Sequence, residues 1–164
     1  MKKLIVMALL AAPLSLFAQK FGHVNVEEII PLMPEYAKAQ TELQNTQKEY
    51  EDELVYMQEE LEKKNAEYQA QAKSLPESTR QRREQELQDI YSKIEQFYAD
   101  SREKLDKLTA ELLQALENKV IEAIKSIGDA GGYTYIFSNS GQIPYIGKGS
   151  VDVTQQVKDK LGIK

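Results

Sequence analysis

Ser74-Leu75-Pro76-Glu77-Ser78-Thr79-Arg80-Gln81 separates two long runs, 35–75 and 77–127, that contain no glycine and no proline apart from this one break. A proline disfavours α geometry at the residue before it, so a helix is expected to stop at Leu75. Ser74…Glu77 and Ser78…Gln81 both have capping-box spacing, which offers side-chain acceptors to the orphan N–H groups of a new helix. A stop followed at once by a restart predicts two helices folded back on each other.

The runs on either side carry the pattern such a hairpin needs. From Glu35 to Leu75 the larger apolar residues repeat every seven positions. Tyr36, Leu43, Tyr50 and Met57 form one row, and Leu54, Leu61, Tyr68 and Leu75 the other. Gln40, Gln47, Lys64 and Gln71 interrupt these rows, so the seam is expected to be narrow and partly polar. From about Thr79 to Ile127 the repeat returns. Leu87, Ile94 and Leu108 make one row, broken by Ser101, and Tyr91, Tyr98, Leu105 and Leu112 make the other. A helix of about 40 residues is about 60 Å long, far more than a compact core requires. Leu112, Leu113, Leu116, Val120, Ile121, Ile124 and Ile127 give a wider stripe, which predicts that the hairpin enters a core there.

The flanks read as a small body. Lys20 to Asn25 suggests a short strand. Val26 to Leu32 suggests one or two helical turns, and Pro34 suits the first turn of the long helix. Gly128, Gly131 and Gly132 are expected to end the second helix. Tyr133 to Ser138 then reads as a strand, Asn139-Ser140-Gly141 as a turn, and Gln142 to Ile146 as its hairpin partner. Asp152 or Thr154 can cap a last helix bearing Val153, Val157 and Leu161. The expected fold class is α+β, with residues 19–34 and 128–164 in one β-sheet body and residues 35–127 as a projecting antiparallel helical hairpin turning near 75–78. A body of about 50 residues with free strand edges is marginal alone, which predicts a homo-oligomer.

Residues 1–18 differ in kind. Lys2 and Lys3 precede an apolar stretch, Leu4 to Ala12, and Pro13 breaks it. This predicts a cleavable secretory signal cut after Ala18, and hence export to the periplasm, where no ATP is available. Removing two lysines and no acid takes the formal charge from −5 to −7. An acidic chain does not suit nucleic acid as a partner. Without cysteine and with His23 as its single histidine, the chain offers no disulfide, no zinc cluster and no serine–histidine relay. Gly147-Lys148-Gly149-Ser150 lacks the Walker spacing and reads as a loop. No catalytic residue, cofactor or metal site is expected, and the chain is not read as an enzyme.

Two features carry candidate function. Tyr36, Tyr50, Tyr68, Tyr91 and Tyr98 lie on or next to the seams, where they either pack or turn rings between neighbouring hairpins. Charge is also uneven: residues 41–62 carry eight acids against one base, whereas 71–83 carry four bases against one acid. Lys73, Arg80, Arg82 and Arg83 thus form a cationic tip, a candidate contact for acidic client segments or anionic lipid.

The order of parts resembles the Skp (OmpH-like) family of periplasmic chaperones. A leader and Phe-Gly-His-Val-Asn at 21–25 precede the hairpin. Gly-Gly-Tyr-Thr-Tyr-Ile-Phe-Ser at 131–138 and Asp-Val-Thr-Gln-Gln-Val-Lys-Asp-Lys-Leu at 152–161 follow it. The resemblance spans essentially the whole chain after the leader. It implies a homotrimer whose hairpins enclose unfolded outer-membrane β-barrel proteins until the outer-membrane assembly machinery receives them. It also implies a lipopolysaccharide contact, for which this acidic chain offers only the tip cations. The rival reading is a structural coiled-coil spacer of the envelope that binds no client.

Overall fold

The computed structural model describes residues 19–139 and 143–163. The expected leader, 1–18, lies outside the described residues, as do Ser140, Gly141 and Gln142 of the expected turn. The elements in order are β1 (Phe21–Val24), α1 (Val26–Ile29), a 3₁₀ turn (Ile30–Leu32), α2 (Pro34–Gln71), α3 (Glu77–Gly131), β2 (Tyr135–Ser138), β3 (Ser150–Asp152) and α4 (Thr154–Lys160).

The hairpin forms as its pattern predicts, but its ends differ from the expected caps. No side chain caps α3, which begins behind Pro76. The Pro76 carbonyl accepts from the N–H groups of Thr79 and Arg80 at 3.0 Å. Ser78 lies inside the helix, and the Ser74 hydroxyl donates backward to the Gln71 carbonyl at 2.8 Å, closing α2 instead of opening α3. At the other end α3 runs through Gly128 and stops at Gly131. Gly132 supplies the left-handed cap (φ 63°), its N–H donating to the Gly128 carbonyl, a conformation that costs a residue with Cβ about 1–2 kcal/mol.

The seam uses different residues in two places. Ala39 and Thr46 are half-buried while Gln40 and Gln47 are exposed, so the latter two do not interrupt it. On α3, Ile90 and Phe97 fill the row expected of Tyr91 and Tyr98, which are 51% and 58% exposed. The choice follows from desolvation. An aliphatic or phenyl group packs at no polar cost, whereas a tyrosine hydroxyl keeps water more cheaply than it finds a buried partner.

The sheet also departs from expectation. Its order is β2-β1-β3, and β1 pairs with both neighbours in parallel. Phe21 stands opposite Tyr135 on one side and Ser150 on the other. The antiparallel partner expected at Gln142 to Ile146 is absent from 143–146, and β3 falls on Ser150–Asp152 instead. Pro144 explains the difference, since a residue without N–H cannot serve a ladder in mid-strand. Gly147 to Ser150, read as a loop, closes a turn (Ser150 N–H to the Gly147 carbonyl, 3.0 Å) that leads directly into β3.

The core collects the two ends of the chain on the root of α3. Val24, Ile29 and Met33 meet Leu116, Val120 and Ala123 of α3, and Val153, Val157 and Ile163 complete the cluster. The three α3 residues are spaced by four and three, one face of a helix. Leu113 and Ile121, part of the expected stripe, remain 43% and 45% exposed. Polar joints fix the assembly. The Asn25 side chain accepts from the Glu28 N–H at 3.2 Å, capping α1. The Asn25 N–H donates to the Thr154 hydroxyl at 3.0 Å, and Asp152 accepts from the Thr154 N–H at 2.8 Å. Hydrogen bonding with Thr154, through its side chain first and its backbone second, lowers the Asp152 pKa.

Candidate functional site

The hairpin is held by cross-links that change in kind from root to tip. At the root, Lys119 donates to Glu35 at 2.8 Å and lowers the pKa of that carboxyl. Midway, the rings of Tyr50 and Phe97 form a T-shaped pair, centroids 6.0 Å apart. Ser101, one turn further along α3, is buried at 5% exposure. Nearer the tip, Lys64 pairs with Glu86 at 2.6 Å and Tyr68 donates its hydroxyl to Glu84. The hydrogen bond from Lys64 lowers the Glu86 pKa and raises that of Lys64 itself. The neighbouring carboxylate likewise raises the Tyr68 pKa.

The four tip cations are brought to one end of the hairpin but not into one environment. Lys73 is exposed in the link after α2, and Arg82 is exposed on the first turns of α3. Arg80 pairs with Glu77, and Arg83 reaches Glu86 at 3.4 Å. Among the described residues, Lys73 and Arg82 make no ion pair.

His23 sits on β1, half-buried, with Nδ1 and the Ser150 hydroxyl sharing a hydrogen bond of 2.9 Å. Asp152 lies 3.8 Å from its other ring nitrogen. These contacts staple β3 to β1. Among the described residues, no group of three or more His, Asp or Glu side chains could hold a metal ion. The apolar hollow at the root of α3, about 550 Å³, lies between Val26, Ile30, Val120, Ile124 and Ile136. The other face of the sheet carries exposed Tyr135 and Phe137, with Phe21 stacked on Tyr135 at 6.3 Å.

Sequence reasoning missed the surface between the helices. A groove of about 480 Å³ runs along one flank near the tip, lined by Asn65, Tyr68, Gln69, Gln88 and Tyr91 among others. Leu61, Tyr68, Leu87 and Tyr91 had a visible signal, and that signal was shared with packing.

No helix among the described residues is long and apolar enough to cross a membrane. A family model described as "Outer membrane protein (OmpH-like)" matches residues 20–161. No curated protein matches the chain. Members of this family act as periplasmic chaperones, not as enzymes. The matched span takes in β1, the hairpin, all three strands and α4, and the chain belongs to the OmpH-like family.

Proposed function

We propose that the mature chain is an ATP-independent periplasmic holdase that binds unfolded outer-membrane β-barrel proteins and keeps them from aggregating before the assembly machinery receives them. The observation that carries this reading is the disproportion between hairpin and core. α2 has 38 residues and buries none fully. α3 has 55, and its buried apolar residues all lie between Leu116 and Ala123. Well over half of each helix therefore projects beyond anything the body needs. Such a projection serves distributed contact, in which many weak interactions retain a client and each is easily released.

The same reading takes the assembly to be a homotrimer, exported by a leader cleaved after Ala18. A three-stranded sheet with two free edges and an exposed aromatic face supports self-association. Lys73, Arg80, Arg82 and Arg83 are proposed as a secondary contact for acidic segments or anionic lipid. Light scattering tests the main claim. The mature protein is expected to suppress aggregation of a urea-unfolded β-barrel on dilution, and native mass is expected to show a discrete trimer. No suppression from a well-folded oligomer would favour a client-free spacer.

A further inference from the structure

The two flanks of the hairpin differ in chemistry, and the difference follows the heptad register. One flank is fixed by the groove that Asn65 and Tyr91 line. Gln58 and Tyr98 lie seven residues along the same rows, so they continue this flank rootward over a second heptad. All four side chains are uncharged and exposed. The opposite flank is fixed by a separate cleft between Lys64, Glu67 and Arg83, where Lys64 and Arg83 both meet Glu86. One heptad further, Glu60 and Lys93 continue it. Those positions are all charged, although Tyr68, Gln71 and Leu75 also line the cleft. In a hairpin this rich in Glu and Lys, a strip this poor in charge stands apart. Glu84 within it is already engaged by the Tyr68 hydroxyl, and Glu62 lies at its margin.

We infer that the Gln58–Asn65–Tyr91–Tyr98 flank is the surface that contacts unfolded polypeptide, and that the Glu60–Lys93 flank faces away from it. The inference rests on the holdase reading and assigns that activity to one side of the hairpin. Covering the charged flank with a client would strip water from Lys and Glu side chains without supplying fixed partners, which is costly. Covering the other flank meets fewer charges, Glu62 and Glu84 among its groove residues, and so carries a smaller penalty. Tyrosine offers large, stiff, amphipathic contacts, and side-chain amides can both donate to and accept from an extended backbone. That is the composition by which binding loops engage varied polypeptides. Tyr91 and Tyr98 lie about 10 Å apart along the helix, so an extended client would present about every third residue to them.

Because the chain has no cysteine, single cysteines can report on each flank. Gln58→Cys and Tyr98→Cys on one side, and Glu60→Cys and Lys93→Cys on the other, each carry a benzophenone in the full mature oligomer. A urea-unfolded outer-membrane β-barrel is diluted in, the sample is irradiated, and light scattering is followed in parallel. Severalfold more barrel adduct from positions 58 and 98 than from 60 and 93 is the expected result. Equal or reversed yields overturn the assignment, as do adducts at 58 and 98 that join two copies of this chain in place of the barrel. Suppressed scattering with no adduct from any position puts the client elsewhere and overturns the assignment while leaving the holdase reading intact. No suppression by the unlabelled protein removes that reading and the assignment with it.

Discussion

Lys64 on α2 reaches across the hairpin to Glu86 on α3, Nζ to Oε1 2.6 Å, from a seam position that an apolar residue would ordinarily hold. Both side chains remain partly exposed, so the pair adds little net stability. Lys64→Leu is therefore expected to raise the thermal unfolding midpoint, read by far-UV circular dichroism. The pair also has a pH signature. The Glu86 pKa is lowered in the folded hairpin, so its contribution is fully present above the unfolded carboxyl pKa and is lost as pH falls through the folded value. Wild type should lose tip stability on that acid side of the usual carboxylate range. Glu86→Gln should lack this limb.

Ser101 shows what a small residue does in a seam. It is buried one turn beyond Phe97, whose ring forms a T-shaped pair with that of Tyr50. Enlarging it by Ser101→Leu would overpack the seam and is expected to cost about 1–3 kcal/mol. Removing the ring by Tyr50→Ala should cost about 2 kcal/mol through lost burial and the edge contact. Urea unfolding of each variant at constant oligomer concentration checks both values.

Much of this architecture was legible because it rests on periodicity. Pro76 and the two heptad runs announce the hairpin, and Pro34, Gly132 and Val157 fall where helix chemistry places them. What was not legible were choices between near-equivalents. Ile90 or Tyr91, and Phe97 or Tyr98, sit one residue apart in the same repeat. Only the relative cost of burying a hydroxyl decides between them. Ala39 and Thr46 escaped notice because a pattern built on large residues ignores small ones. The sheet was misjudged because parallel pairing depends on where a distant strand returns, which no local turn signal encodes. The groove between the helices was invisible for the same reason: it exists only once the two registers are set against each other.

Stability should be concentrated in the body and not in the hairpin. Ile29 is fully buried against the root cluster, so Ile29→Ala is expected to cost about 3 kcal/mol. Leu61 is only half-buried in the seam, and Leu61→Ala should cost about 1 kcal/mol. Hydrogen exchange is expected to show the same ordering, with amides of α2 and α3 near the tip exchanging through local openings well before those around Val120.

The tip offers a last test, because its cations are not equivalent. Arg80 and Arg83 are engaged by Glu77 and Glu86, whereas Lys73 and Arg82 are exposed and make no ion pair among the described residues. A cation already paired must give up that partner to meet an anion, so its net gain is smaller. If the tip contacts anionic surfaces, Lys73→Gln with Arg82→Gln should abolish sedimentation with vesicles rich in anionic lipid. Arg80→Gln with Arg83→Gln should reduce it far less. Binding should also fall steeply between 0.05 and 0.3 M salt, because exposed charges are screened over about 10 Å at 0.1 M. Equal losses from both double variants, or no dependence on salt, would show that the tip cations serve the hairpin and not a ligand.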